Sequence, residues 1–214
     1  MFSGTWSNRD GWTPMYYACK DGHEKIVRYL VGHGADINKN DNSNTTLLNI
    51  AYENGHIAIV KYLVEQGADI NKETYDGNTL LFNACQDGNL TLVKCFVENE
   101  ASINKVNRAG WTPLYYACKD GHKEIVKYLV KQGANINKTD HYEWTPLFIA
   151  CQRGHINIVK YLVENGADIN KKNNNGKTPL YYACEKGYEN IVKCLVEHGT
   201  NINKETNDGE TLYL

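Results

Sequence analysis

The chain has 214 residues, and its 23 Lys and Arg nearly balance its 25 Asp and Glu, which gives a formal net charge of −2 at pH 7. This balance argues against a general nucleic-acid binder, because such proteins rely on excess positive charge. The sequence shows no run of about 18 apolar residues and no charged-then-apolar leader, so we expect neither a membrane-spanning helix nor a secretory signal.

One pattern returns every 33 residues, six times over, without an inserted or deleted residue. A fixed period of this size predicts a solenoid, because each unit must bury its apolar face against its neighbours. We therefore divide the chain into an N-terminal extension, a single domain of six repeats (8–205) and the start of a seventh repeat. The bounds are 1–7; 8–40, 41–73, 74–106, 107–139, 140–172 and 173–205; and 206–214.

Each repeat begins with a tight turn that leads into a short helix. A threonine occupies the sixth position of every repeat, and in four repeats proline follows it; the threonines are Thr13, Thr46, Thr79, Thr112, Thr145 and Thr178. A threonine hydroxyl can accept a hydrogen bond from a free amide at a helix N-terminus, and proline suits the first helical turn. Nine residues after each threonine stands a glycine, such as Gly22, which predicts a left-handed residue that ends the helix.

A second helix follows in each repeat, with the apolar spacing Ile-Val-x-x-Leu-Val, as in Ile125, Val126 and Leu129. In five repeats it ends at another glycine, such as Gly133. The extended segment after that glycine leads to Asx and Gly residues, which are typical of a projecting turn before the next threonine.

The fourth repeat shows the full signature. Its segments are Thr112-Pro113-Leu114, Gly121-His122, Ile125-Val126 and Gly133-Ala134-Asn135-Ile136-Asn137. Together they resemble the ankyrin repeat, over roughly residues 8–205. The resemblance implies an all-α fold, an ankyrin-type solenoid of stacked helix-turn-helix repeats with projecting β-turns or hairpins. It also implies that the first helices and the turns line a concave binding face.

Two departures from the family pattern stand out. The His that usually closes the Thr-Pro-Leu-His tetrapeptide is replaced by Tyr16, Asn49, Phe82, Tyr115, Phe148 and Tyr181. Any polar network through that His must therefore be absent or rebuilt. Glu100 and Glu143 replace turn glycines, and a side chain in left-handed backbone costs roughly 1 to 2 kcal/mol, so we expect these two turns to be strained.

The seven cysteines fall at two repeat positions. Cys19, Cys85, Cys118, Cys151 and Cys184 share one on the first helix, and Cys95 and Cys194 share another on the second. Equivalent positions on stacked helices lie about 8 to 10 Å apart, which is beyond the Cα separation that a disulfide tolerates. We therefore expect reduced thiols in the core and a cytoplasmic protein.

A histidine follows the glycine of the first helix in four repeats, at His23, His56, His122 and His155. A structural hydrogen bond is the simplest role for it. No metal-ligand spacing and no catalytic motif accompany these residues. We therefore expect no metal, no cofactor and no catalytic residue.

Basic residues also recur at two repeat positions. They are Lys39, Lys72, Lys105, Lys138, Lys171 and Lys204, and Arg28, Lys61, Lys94, Lys127, Lys160 and Lys193. The favoured interpretation is a solvated face, balanced by Glu65, Glu98, Glu164 and Glu197 four residues after their lysines. The alternative is a basic ladder for phosphate or acidic partners.

Binding residues are expected where the repeats differ, because shared positions are already explained by stacking. At 100° per residue, one side of the first helix points away from the second, and aromatic residues gather there and in the turns. The candidate partner-binding residues are Trp12, Tyr17, Trp111, Tyr116, Lys119, Tyr142, Trp144, Ile149, Arg153 and Tyr182. Exposed Trp and Tyr are typical of interface hot spots. Alternatively, these rings pack on neighbouring turns and only stiffen the array.

The leading hypothesis is a non-enzymatic protein-protein interaction module that binds a protein or peptide on its concave face, without nucleic acid or membrane insertion. The alternative is a targeting or substrate-recruitment segment of a larger multidomain protein, such as a ligase adaptor, effector or channel, because the seventh repeat stops at Leu214. Phe2 and Trp6 fit no repeat frame and are expected to cover the first helix pair.

Three asparagines are candidates for modification. Asn38, Asn71 and Asn170 stand in sequences that resemble the setting in which ankyrin-repeat asparagines are hydroxylated. The competing interpretation is that their side chains brace the turn.

Overall fold

The computed structural model describes residues 8–202, so the N-terminal extension, with Phe2 and Trp6, and the start of a seventh repeat lie outside the described residues. The described residues form twelve α-helices and no strand, apart from one isolated bridge between Asn40 and Thr46. The helices are α1 Pro14–Lys20, α2 Glu24–Gly32, α3 Leu47–Glu53, α4 Ile57–Glu65, α5 Leu80–Gln86, α6 Leu90–Glu98, α7 Pro113–Lys119, α8 Lys123–Lys131, α9 Pro146–Arg153, α10 Ile156–Glu164, α11 Pro179–Glu185 and α12 Glu189–Glu197.

The helices are paired as the 33-residue period predicts, and they fall into two compact units. The first unit runs to Lys72 and includes Lys94–Ala101, and the second holds Glu73–Val93 and the chain from Ser102 onward. In the first unit α1 packs against α2 and α3, and α4 packs against both α2 and α3. In the second unit α7 packs against α5, α8 and α9, and α11 packs against α9 and α12. The all-α stack of paired helices is thereby confirmed.

The core comes from the apolar spacing of the helices. In α8, Ile125, Val126 and Leu129 lie on one face and are buried, and Leu114 of α7 is buried as well. Full burial of one such side chain is worth about 1.5 to 3 kcal/mol. Each helix pair therefore depends on its neighbours for most of its stability.

All six threonines occupy helix N-caps with extended backbone. Four of them accept a hydrogen bond from the amide three residues later; they are Thr13, Thr46, Thr112 and Thr178. The hydroxyls of Thr79 and Thr145 are buried without a hydrogen-bond partner. In both of these repeats the tetrapeptide ends in Phe, whereas Asn49 rebuilds the polar contact through a hydrogen bond from the Thr46 hydroxyl.

Histidines connect consecutive repeats. The Nε2 atoms of His56, His122 and His155 lie 2.8, 2.9 and 3.0 Å from the carbonyl oxygens of Lys20, Gln86 and Lys119. Gly22 lies against the first of these rings, and a Cβ there would be 2.5 Å from Cε1 of His56. With φ at +77°, Gly22 is thus required by its backbone conformation and by the neighbouring ring. The expected structural role is confirmed for His56, His122 and His155.

Asparagine side chains make a second set of connections between repeats. Asn137 donates through Nδ2 to the carbonyl of Gly166 at 3.1 Å, and its Oδ1 accepts the amide of Asp168 at 2.8 Å. Asn38 and Asn104 bond in the same way. These bonds support the bracing interpretation of this position, while hydroxylation stays a prediction.

Within residues 8–202, three residues other than glycine have left-handed backbone. Glu100 and Glu143, which replace glycines, have φ of 68° and 63°, as the sequence predicts. Asn44 also has φ of 63°, and Asn tolerates this region better than most residues. The Glu143 carboxylate pairs with Lys171 at 2.6 Å, so the substituted turn gains an ion pair within its own repeat.

Some lysines of the two rows form ion pairs. Lys105 pairs with Glu73 at 2.6 Å. On the second helix Lys193 pairs with Glu189, which precedes it, at 3.8 Å, rather than with Glu197. Both side chains of that pair are well exposed, so solvent and salt screen it and its contribution to stability is small.

The two kinds of threonine cap predict different costs of mutation. Thr112→Val removes a hydroxyl that accepts the Tyr115 amide, so we expect the free energy of unfolding to fall by about 1 kcal/mol. Thr145→Val removes a buried hydroxyl without a partner, so we expect no loss or a small gain. Urea unfolding of the two variants at matched m-values measures the difference. Equal losses would contradict the assignment.

Burial predicts slow cysteine chemistry. All seven cysteines are free; Cys95 and Cys184 are half-buried and the others are buried. Burial raises the pKa of Cys19 to about 12 from the ordinary value of 9.0, which reduces its thiolate fraction by about 1,000-fold. We expect iodoacetamide to modify Cys95 and Cys184 first in the native chain and all seven at similar rates in urea, as measured by mass spectrometry of timed samples. Native Cys118 reacting as fast as Cys184 would show that burial does not control these thiols.

Candidate functional site

A row of aromatic side chains lies at the N-termini of the first helices in the second unit. This aromatic row consists of Trp111, Tyr115, Tyr116, Trp144, Phe148 and Tyr182. Each tryptophan stands one residue before the N-cap threonine. Trp111 contacts Tyr116, the fourth residue of α7, as in a hydrophobic staple. The helix start therefore fixes where the rings lie.

Trp111 is held by rings on one side and by a hydrogen bond on the other. Its ring stacks on Tyr115 with centroids 5.1 Å apart and planes 7° apart, and it meets the edge of Tyr116 at 5.7 Å. Its indole N–H donates to Oδ2 of Asp140 at 3.0 Å. Oδ1 of Asp140 accepts the backbone amide of Trp144 at 2.9 Å. One carboxylate thus joins the Trp111 ring to the next turn.

Trp144 is held mainly by rings. Its ring centroid lies 4.8 Å from Tyr182 and 5.6 Å from Phe148. The Tyr182 hydroxyl accepts a hydrogen bond from Nδ2 of Asn173 at 3.1 Å, which fixes the ring beneath Trp144. Both tryptophans are half-buried, so each keeps part of its ring accessible.

The expectation that the Tyr116, Ile149 and Tyr182 side chains point into solvent is wrong, because they are 6%, 3% and 8% exposed. The physical reason is the adjacent repeat: Phe82 packs edge-on against Tyr116, for example, at 5.8 Å. The geometry of one isolated helix shows which residues face away from the second helix. It does not show which of those residues the next repeat buries. Tyr17 shares this position and is 43% exposed.

The other candidate residues of the second unit are accessible. Tyr142 lies at a turn and is 69% exposed, and Arg153 is exposed at the end of α9. Lys119 is half-buried, with Nζ 5.5 Å from the ring centroid of Tyr116 and 5.9 Å from that of Trp111. The accessible surface therefore combines aromatic faces with positive charge.

Buried phenols line this surface. Burial raises the pKa of Tyr115, and nearby Asp140 raises it further, whereas the positive charge of Arg153 lowers it. Burial also raises the pKa of Tyr116 and Tyr182. These hydroxyls are therefore neutral at physiological pH and act only as hydrogen-bond donors and acceptors.

The same arrangement occurs in the first repeat. Trp12 stacks on Tyr16 with centroids 4.8 Å apart and planes 4° apart, and it meets the edge of Tyr17 at 5.8 Å. Lys20 lies 5.4 Å from the Trp12 ring centroid. Considering each ring of the sequence separately does not reveal this arrangement of one Trp, two Tyr and one Lys. The shared spacing Trp-x-x-x-Tyr-Tyr-x-x-Lys is the signal that could have found it.

Metal-binding clusters and membrane-spanning helices are both lacking in residues 8–202. No group of three or more His, Cys, Asp or Glu residues there could hold a metal ion. None of the helices in this part of the chain has the length and apolar character needed to cross a membrane.

The chain is similar to solved ankyrin repeat structures. The human ASB11 ankyrin repeat domain is 28% identical with a TM-score of 0.80, and the match covers 94% of this chain and 90% of that one. An ankyrin repeat domain from Acinetobacter baumannii AYE is 28% identical with a TM-score of 0.83, over 88% of this chain and 98% of that one. The ankyrin repeat domain of Bcl-3, at 24% identity and a TM-score of 0.83 over 95% and 93%, supports the fold alone.

A search of curated proteins finds no match. A family model described as ankyrin repeats (3 copies) matches residues 3–74, 71–140 and 135–206. Domains of this kind are generally protein-interaction modules and are typically non-catalytic, and no catalytic family is found. Because the model matches nearly the whole length, the chain belongs to the ankyrin repeat family.

Proposed function

We propose that this chain is a non-enzymatic module that binds a protein or peptide on the concave face implied by its family, with the main contacts at repeats four and five. The observation that carries the proposal is the pair of half-buried tryptophans, Trp111 and Trp144, held in place beside accessible cations. Trp, Tyr and Arg dominate binding hot spots. The seven unpaired thiols support a cytoplasmic location.

Pre-organisation supports this role. A ring already fixed by stacking and by a bond to Asp140 loses little conformational freedom when a partner covers it. We propose Trp111, Trp144, Tyr142, Lys119 and Arg153 as the contact residues of the second unit. Tyr116, Ile149 and Tyr182 then position these side chains from beneath, while Trp12 and Tyr17 offer a smaller patch in the first unit.

The test separates binding from stability. Peptides are selected from a random display library on the immobilised chain, and their affinities are measured for the wild type, Trp111→Ala, Trp144→Ala and Tyr75→Ala. Because truncating a buried anchor costs at least about 2 kcal/mol, we expect each tryptophan variant to bind at least about 30-fold more weakly. Tyr75 is an exposed aromatic residue of the same unit outside the proposed contacts, so Tyr75→Ala should leave affinity unchanged.

Melting is recorded alongside binding. The stacking and the Asp140 bond predict a moderate loss of stability for Trp111→Ala, so affinity must be measured at a temperature where each variant is folded. Lost stability with unchanged affinity in both tryptophan variants would mean that the rings are scaffold, and the site assignment would fall.

We also propose Asn38, Asn71 and Asn170 as sites of asparagine hydroxylation. Asn104 and Asn137 are matched internal controls, because they make the same bonds to the next repeat. Two residues before each control stands Ser102 or Asn135, whereas each candidate has an aspartate at that position. After incubation with an asparaginyl hydroxylase, we expect peptide mass spectrometry to show the gain of one oxygen atom on the candidates and not on the controls. A candidate peptide without that gain leaves bracing as its role.

A further inference from the structure

Three cations beside the aromatic row form no ion pair with a carboxylate in the described part of the chain. Elsewhere in the second unit ion pairs hold several lysines, as in Lys105–Glu73, Lys127–Glu124, Lys171–Glu143, Lys186–Glu185 and Lys193–Glu189. Within residues 8–202, no such pair involves Lys119, Arg153 or Lys177. Contact with the acids of residues 8–202 therefore does not neutralise the positive charge beside the aromatic row.

Aromatic side chains, rather than acids, lie next to these cations. Lys119 lies over the rings of Trp111 and Tyr116. Lys177 donates to the Tyr181 hydroxyl at 2.9 Å, with Nζ 4.1 Å from the ring centroid. The positive charge of Arg153 lowers the pKa of Tyr115, and Arg153 is exposed at the end of α9. Lys119 and Lys177 are thus placed beside rings.

The acids of the same region are mostly engaged. Asp140 accepts the Trp111 indole and two turn amides, and Glu185 pairs with Lys186. Asp120, directly after Lys119, is exposed. Glu185 is exposed as well, so this surface carries charges of both signs. Among residues 8–202, Lys119, Arg153 and Lys177 are cations beside the row that no carboxylate contacts, so they can pair with the acids of a partner.

We infer that the segment docking on the aromatic row is an acidic peptide, with aromatic or large apolar side chains against Trp111 and Trp144 and carboxylates paired with Lys119, Arg153 and Lys177. The inference rests on the proposed function and names the chemistry of its partner.

The first experiment reads the sequences of the selected peptides. A random peptide library is selected on the immobilised wild-type chain in low salt. Excess soluble Trp144→Ala protein is then added, and it displaces the peptides whose binding does not need Trp144. The sequences of the displaced peptides are compared with those of the peptides that stay bound. We expect the binders that Trp144→Ala cannot displace to be enriched in Asp and Glu and to contain an aromatic residue. Enrichment in Lys and Arg, or none in charged residues, overturns the inference and leaves the proposed function standing.

The second experiment uses charge reversal on an enriched acidic peptide. Lys119→Glu and Arg153→Glu should each weaken binding at least tenfold. Lys193→Glu makes the same charge change at a paired lysine on α12, away from the row, and should change affinity less than twofold. Raising the salt concentration should weaken peptide binding to the wild type, because salt screens exposed charge pairs. The same change should weaken binding to the variant with both Lys119→Glu and Arg153→Glu much less.

The outcomes separate the two claims. Failure of any peptide to bind, or binding that ignores Trp111→Ala and Trp144→Ala, overturns the proposed function together with the inference. Tryptophan-dependent binding that ignores Lys119→Glu and Arg153→Glu overturns only the acidic partner. A single-stranded oligonucleotide that competes for the same site at equal affinity would assign the cations to phosphate and would likewise overturn it.

Discussion

Side-by-side burial of helix pairs is the constraint on which the rest of this structure depends. A repeat of 33 residues has too little volume to enclose its own apolar face. Ile125, Val126 and Leu129 are buried on one face of a nine-residue helix, and a helix of that length is marginal on its own. Each helix is therefore stable because neighbouring helices cover it, and each side chain must be judged with the next repeat in place.

Apolar faces alone would let repeats slide, and the polar connections fix the register. His122 and His155 reach a carbonyl at the end of the preceding first helix, and Asn137 bonds two backbone groups of the next turn. Hydrogen bonds need their partners at one distance and direction, so they hold in one register only. Where Phe82 and Phe148 replace the family's usual tetrapeptide histidine, a buried threonine hydroxyl has no partner, but other residues supply the connections between repeats.

The sequence predicts local features well and features between repeats poorly. The Thr caps, the ends of the helices and the left-handed backbone at Glu143 follow from residues near in the chain, and all are present. The burial of Tyr116 and the bond from Trp111 to Asp140 join residues of different repeats. Periodicity shows that repeats touch, but the ring geometry depends on which side chain the neighbour happens to carry, as Phe82 shows.

Asp140 shows why the scaffold and the candidate site cannot be separated. One carboxylate oxygen shapes its own turn through two amides, and the other orients the indole of Trp111. Because Asp140 makes both sets of bonds, the position of the Trp111 ring depends on the position of the next repeat. A partner then meets rings whose geometry the stack has already fixed, so less entropy is lost on binding. The same coupling means that mutations of the anchors reach into the fold, and only matched measurements of stability and affinity can divide the two effects.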